Sequence, residues 1–161
     1  MSKNAIIFGG SGFLGSHVAD ALSENGYTVT LFDLQASPYI RPDQTMVVGS
    51  ILDTGKVNCA MKGQDIAFHF AGLSDLDIGK DQPIEVANQN IIGTINLLNE
   101  SIKANIKRFV FASTIYVYSD LGGFYRCSKQ ATELFIEEFN KCYGLNYTVL
   151  RYGSLYGPRA S

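Results

Sequence analysis

Short runs of β-branched and aromatic residues alternate along the chain with longer stretches whose apolar residues recur at helical spacing. Residues 5–8, 27–33, 45–48, 65–70, 107–112 and 147–151 read as six strands. The spacing predicts helices over about 12–25, 53–62, 83–104 and 125–143. Pro83 stands in the first turn of the third of these, where a missing N–H costs little. Gly144 follows the fourth, where a left-handed residue ends a helix. Residues 37–43, with two prolines, read as a loop. Strands that alternate with helices in this way predict an α/β fold with a doubly wound parallel sheet. On the third and fourth helices, Ile91, Ile95, Leu98, Ile102, Leu134, Phe135 and Phe139 are assigned to the core.

Composition narrows the class. The 161 residues suit one domain, read as a nucleotide-binding unit over 1–161 with no second domain. Hydrophobic residues are 46% and charged residues 17%, a globular balance rather than a disordered one. A net charge of −2 without basic runs gives no footprint for nucleic acid or an anionic membrane surface. No apolar run approaches a membrane span, and the first strand begins too early for a signal peptide. Cys59, Cys127 and Cys142 lack metal-ligand spacing and read as reduced thiols. The expectation is a cytoplasmic protein that binds no metal, nucleic acid or membrane.

Candidate chemistry begins at the first strand's end. Gly9-Gly10-Ser11-Gly12-Phe13-Leu14-Gly15 gives GxxGxxG between a strand and a helix. Gly9 permits the tight turn, Gly12 leaves room for a pyrophosphate, and Gly15 permits close packing of the helix. The helix N-terminus supplies free amides and partial positive charge for an anion. A glycine-rich turn is often only a turn, but this one has the strand–turn–helix context that the motif requires. Asp33 closes the second strand, where a carboxylate accepts bonds from ribose hydroxyls and repels a 2′-phosphate, favouring NAD over NADP.

Tyr125 and Lys129 are spaced i, i+4 at the start of a predicted helix and so share a face. A phenol is a poor base at neutral pH, and a neighbouring ammonium lowers its pKa towards use in proton transfer. Ser113 and Thr114 end a buried strand at its carboxyl edge, where open α/β sheets place their sites. Thr114 is placed to hydrogen-bond a substrate oxygen beside the phenol. His69 and His17 read as structural.

Seven ordered segments resemble the extended short-chain dehydrogenase/reductases, the NAD-dependent epimerase/dehydratase family acting largely on nucleotide-diphosphate sugars. They are GGSGFLG, Asp33, the HFAG of residues 69–72, the NIIGTINLL of residues 90–98, the STIYVY of residues 113–118, Tyr125/Lys129, and the RYGSLYGPR of residues 151–159. The resemblance implies a Rossmann NAD-binding part, with the family's C-terminal substrate region absent from this chain. It makes Tyr125 the acid/base and Thr114 the hydroxyl partner, with Lys129 on the nicotinamide ribose. It places Phe13, Leu14, Ser50 and Ile51 along the cofactor, and Phe70, Ala71 and Gly72 in a flanking loop. Tyr152 falls beside the nicotinamide, and Asn90 and Ser154 near nucleotide or substrate. Ser50 stands where the family often carries aspartate, and Ser154 where it carries asparagine.

The implied function is hydride transfer at a sugar carbon by an NAD-dependent epimerase, dehydratase or reductase, or a fragment of one. The family also implies a homodimer through the 83–104 and 125–143 helices. Alternatives are a catalytically silent NAD(H)-binding module and an NADP-linked reductase of small carbonyl compounds.

Overall fold

The structure, a computed structural model, describes residues 3–160. Six strands form one parallel sheet in the order β3-β2-β1-β4-β5-β6. They are β1 (Lys3–Phe8), β2 (Tyr27–Asp33), β3 (Gln44–Val48), β4 (Ile66–His69), β5 (Arg108–Thr114) and β6 (Tyr147–Tyr152). The order reverses between β1 and β4, the topological switch point of a doubly wound sheet. Helices α1 (Phe13–Glu24), α2 (Thr54–Met61), α5 (Gly93–Lys103) and α6 (Gly123–Tyr143) connect the strands. The short helices α3 (Leu76–Asp81) and α4 (Pro83–Val86) precede α5.

Both faces of β1 are buried, and successive residues go to different layers. Ile6 and Phe8 join Phe32, Val57, Met61, Leu97, Leu98, Phe109, Phe111 and Ile136 beneath α2, α5 and α6. Ile7 joins Ala19, Val29 and Leu31 beneath α1. This explains why the central strands read as continuous apolar runs. Among the described residues, no helix is long and apolar enough to cross a membrane.

The predicted strands and main helices are present, with four differences. The fifth strand runs on through Ser113 to Thr114, because Thr114 still pairs with Tyr152 of β6. The expected continuous helix over 83–104 is interrupted by a π-helical turn, Ala87–Ile92, in which the Gly93 amide reaches back to Asn88. The 115–124 connection contains a 3₁₀ turn, Ile115–Tyr118, capped by the Thr114 side chain. Finally, Leu134 and Phe135 do not belong to the core: they are 62% and 42% exposed, because α6 buries its Ser128, Lys129, Thr132, Glu133 and Ile136 face instead.

Candidate active site

The loops that leave β1 and β4 meet at the switch point. The Phe8 carbonyl accepts the amides of both Phe70 (2.8 Å) and Ala71 (3.0 Å). Gly9 has φ +83°, and a Cβ there would lie 2.5 Å from the Ala71 nitrogen, so only glycine fits. A Cβ at Gly15 would lie 2.1 Å from the Gly9 oxygen, so this glycine lets the helix close on the turn itself rather than on the sheet. A Cβ at Gly12 would meet only the Gly9 oxygen, at an ordinary contact distance of 3.5 Å, so this position of the turn is uncrowded. No side chain caps α1, whose first bond runs from the Ser16 amide to Gly12. The amides of the first turn therefore have no helical partner.

Two clefts flank this junction. One, of about 370 Å³, contains Gly9, Gly12, Asp33, Ile51 and Ala71 in its walls. The other, of about 360 Å³, contains Leu14, Thr114, Tyr125, Lys129, Tyr152 and Ser154. Phe70 and Gly72 line both. Residues scattered from the first to the last strand are thus brought to one carboxyl edge.

Four expected site residues, Phe13, Gly15, Ser50 and Asn90, line neither cleft. Gly15 backs the turn, and Phe13 packs edge-on against His17 at 5.5 Å. The Ser50 hydroxyl accepts the Leu52 amide at 3.1 Å. Asn90 is buried, and its side chain is engaged by protein. Its Oδ1 accepts the Leu73 amide (2.7 Å), and its Nδ2 donates to the Leu73 carbonyl (2.9 Å) and to Ser128 Oγ (2.9 Å). These bonds clamp the loop after β4, whose Gly72 lines both clefts. The Asn90 carbonyl takes the hydroxyls of Thr94 (2.6 Å) and Thr132 (3.2 Å). His69 belongs to this framework. Because Thr94 Oγ1 donates to Asn90, His69 Nε2 donates to Thr94 (2.8 Å), which fixes the tautomer. Burial and then Lys129 hold His69 well below its usual pKa, so it stays neutral.

Lys129 is buried. Its ammonium donates to the Ala112 carbonyl at 2.8 Å and lies 4.5 Å from the Phe111 ring centroid and 5.6 Å from that of Tyr125. Burial pushes it down to about 8, against the opposing effect of Glu133. Tyr125 is not lowered as expected. Burial, and secondarily Tyr116, push it up, because the phenol is largely desolvated and the ammonium sits over the ring face. The site therefore presents a protonated phenol beside a weakened ammonium.

Two polar residues that sequence reasoning passed over lie beside the site without lining either cleft. Glu133, one turn after Lys129, pairs with Arg151 of β6 at 2.6 Å. A carboxylate at i+4 on the buried face of α6 and an arginine inside a strand were the available signals. Among the described residues, no group of His, Cys, Asp and Glu is arranged to hold a metal.

The sequence profile described as the NAD dependent epimerase/dehydratase family matches residues 5–161. The chain is 30% identical to a UDP-N-acetyl-alpha-D-glucosaminuronate decarboxylase from Bacillus cytotoxicus, over 99% of this chain and 57% of that protein. A UDP-glucose 4-epimerase from Yersinia enterocolitica is 28% identical, over 97% of this chain and 54% of its own length. Among solved structures, the UDP-glucose 4-epimerase of Thermotoga maritima with UDP-glucose superposes with a TM-score of 0.91 at 35% identity, over 97% of this chain and 57% of that one. The Thermus thermophilus UDP-glucose 4-epimerase complex with NAD gives a TM-score of 0.90 at 26% identity, over 98% and 57%. The chain thus spans little more than half the length of these relatives. With its sheet order and clefts, the profile match shows that this chain belongs to the NAD-dependent epimerase/dehydratase family.

Proposed function

We propose that this chain is the NAD-binding and proton-transferring part of an enzyme acting on a nucleotide-diphosphate sugar. The observation that carries this reading is the shared wall of Phe70 and Gly72. It joins a cleft holding a carboxylate at a strand end to a cleft holding Thr114, Tyr125 and Lys129. A dinucleotide has this bipartite form, with one ribose for Asp33 and a reactive ring for the other cleft.

The residues fit such a cofactor. The uncrowded Gly12 in the cleft wall and the uncapped amides of α1 suit the diphosphate, and Asp33 suits the adenosine ribose. Ile51 and Ala71 would flank the adenosine side, and Lys129 and Tyr152 the nicotinamide ribose. When bound, NAD+ supplies a hydride acceptor. Tyr125 then exchanges the proton of the reacting hydroxyl, and Thr114 Oγ1 orients that oxygen. As a phenol, Tyr125 is set to protonate a carbonyl oxygen; as a phenolate, it takes the alcohol's proton. Ser154, on the rim, meets the sugar. The exposed Leu134 and Phe135 support a homodimer that covers α6.

The test is calorimetry with NAD+ and NADP+, followed by NADH absorbance of the full-length protein with UDP-, GDP- and dTDP-sugars. NAD+ binding with turnover of one sugar class is expected. Binding without turnover of any sugar would leave a silent NAD module, and NADP+ preference with small carbonyl substrates would replace the reading.

A further inference from the structure

Beneath the Tyr125–Lys129 cleft, one carboxylate connects a helix, two strands and a turn. Glu133 Oε1 accepts Ser113 Oγ at 2.5 Å and Arg151 Nε at 3.1 Å, and Oε2 accepts Arg151 Nη2 at 2.6 Å. Ser113 and Arg151 oppose each other in the β5–β6 register, and the next rung is Thr114 with Tyr152. Arg151 Nη1 donates to the Tyr118 hydroxyl, and its guanidinium lies 4.9 Å from that ring. It thereby anchors the turn that brings Ile115 and Tyr116 into the cleft wall. Neither Glu133 nor Arg151 lines either cleft, so any influence on chemistry acts through neighbours.

We propose that Glu133 is a positioning residue of this site, fixing the strand end beside Thr114 through Ser113 and Arg151 and keeping Lys129 charged. Its effect on catalysis rests on the reading of Tyr125 and Lys129 as the reacting pair; its effect on Lys129 does not. As a stabiliser, the Glu133–Arg151 pair is weak, since the Arg151 side chain is 38% exposed and solvent screens the attraction, while Glu133 has lost its hydration. What the pair provides is placement: three hydrogen bonds fix a negative charge one helical turn from an ammonium that, among the described residues, hydrogen-bonds the Ala112 carbonyl. The charged and titratable groups around Lys129 are His69 from β4, Tyr125 and Glu133 from α6, Tyr116 from the turn and Tyr152 from β6, with Arg151 reaching it through Glu133. His69 is held neutral, and burial pushes the phenols of Tyr125 and Tyr152 up, which leaves Glu133 as the negative charge of the group. Burial pushes Glu133 up, but bonds from Arg151 and Ser113 outweigh it and keep the carboxyl ionised.

The test follows Lys129 by NMR of ¹³C-labelled lysine in the unliganded protein, with Lys129→Arg to assign the signal. Glu133→Gln should lower the Lys129 midpoint by roughly one pH unit or more. Arg151→Gln, which leaves the carboxylate uncompensated, should raise it. Loosened packing would move both variants the same way, so opposite shifts are the signature. Unmoved midpoints, or shifts of one sign, overturn the proposal. Should Glu133→Gln fail to fold, the sign of the Arg151→Gln shift decides alone. In the full-length enzyme, Glu133→Gln should bring the alkaline loss of kcat to lower pH with KM little changed. Opposite NMR shifts without turnover in the parent would keep Glu133 as the residue that holds Lys129 charged and discard the enzymatic reading.

Discussion

The Asp33 carboxylate at the end of β2 accepts the Ser11 amide at 2.9 Å through one oxygen and the Leu34 amide at 2.7 Å through the other. The residue offered to a ribose is therefore also a brace for the glycine loop. Charge and brace separate experimentally, because an amide side chain keeps one accepting oxygen.

NAD(H) should bind about tenfold more tightly than NADP(H), a difference of ~1.4 kcal/mol. Asp33→Asn should narrow that gap in calorimetry with a smaller fall in melting temperature than Asp33→Ala, since its single oxygen keeps one of the two amides. Asp33→Ala should narrow it and also lower the melting temperature, since both amides lose their acceptor. Equal affinities in the parent would remove Asp33 from the cofactor site.

Two glycines of the same loop should respond in opposite ways. At Gly12 the backbone is extended (φ −77°) and nothing lies closer than 3.5 Å, so Gly12→Val should fold normally yet lose NAD+ affinity. At Gly15 a methyl group would meet backbone at 2.1 Å, so Gly15→Ala should destabilise the protein by about 1–3 kcal/mol. Thermal melts and NAD+ titrations of the pair check this. Undiminished binding by Gly12→Val would reduce the loop to a turn.

Tyr125→Phe keeps the ring and removes the hydroxyl. In the full-length enzyme, turnover should fall by about 10²–10⁴-fold, the usual contribution of general acid–base catalysis, with NAD+ affinity nearly unchanged. Steady-state kinetics beside calorimetry makes the comparison, and unchanged kcat refutes the assignment.

Lys129 gives the protein a pH dependence of known sign. Its folded-state pKa is about 8, below the ordinary lysine value of 10.5. Between these values the unfolded chain holds a proton that the folded chain has released, so stability rises with pH across this window. Denaturant melts from pH 8 to 10 should show the rise in the parent. Lys129→Met should lack this contribution, and identical slopes in the two proteins would contradict it.

How far the sequence was legible depended on whether a residue's role is local. Strand runs, the Gly144 cap and the glycine loop are set by neighbours in sequence, and the structure has them where periodicity put them. The clamp made by Asn90 was not legible, because its partners, Leu73 and Ser128, come from a loop and a helix that no local pattern relates to it. Leu134 and Phe135 read as core because hydrophobicity alone does not say which face of α6 meets the sheet. That face proved to carry Lys129 and Glu133, polar groups whose burial depends on Ala112, Ser113 and Arg151. The expected lowering of Tyr125 failed for a similar reason, since helical spacing sets the distance between two side chains but not their desolvation.

The double use of the Phe8 carbonyl has an entropic consequence. Two amides on one acceptor, together with the contact of Gly9 against Ala71, hold the β1 and β4 loops to each other and to the central strand. A ligand spanning both clefts therefore meets a dividing wall whose backbone is already ordered. Less conformational freedom remains to be lost on binding, so a larger share of the contact energy appears as affinity.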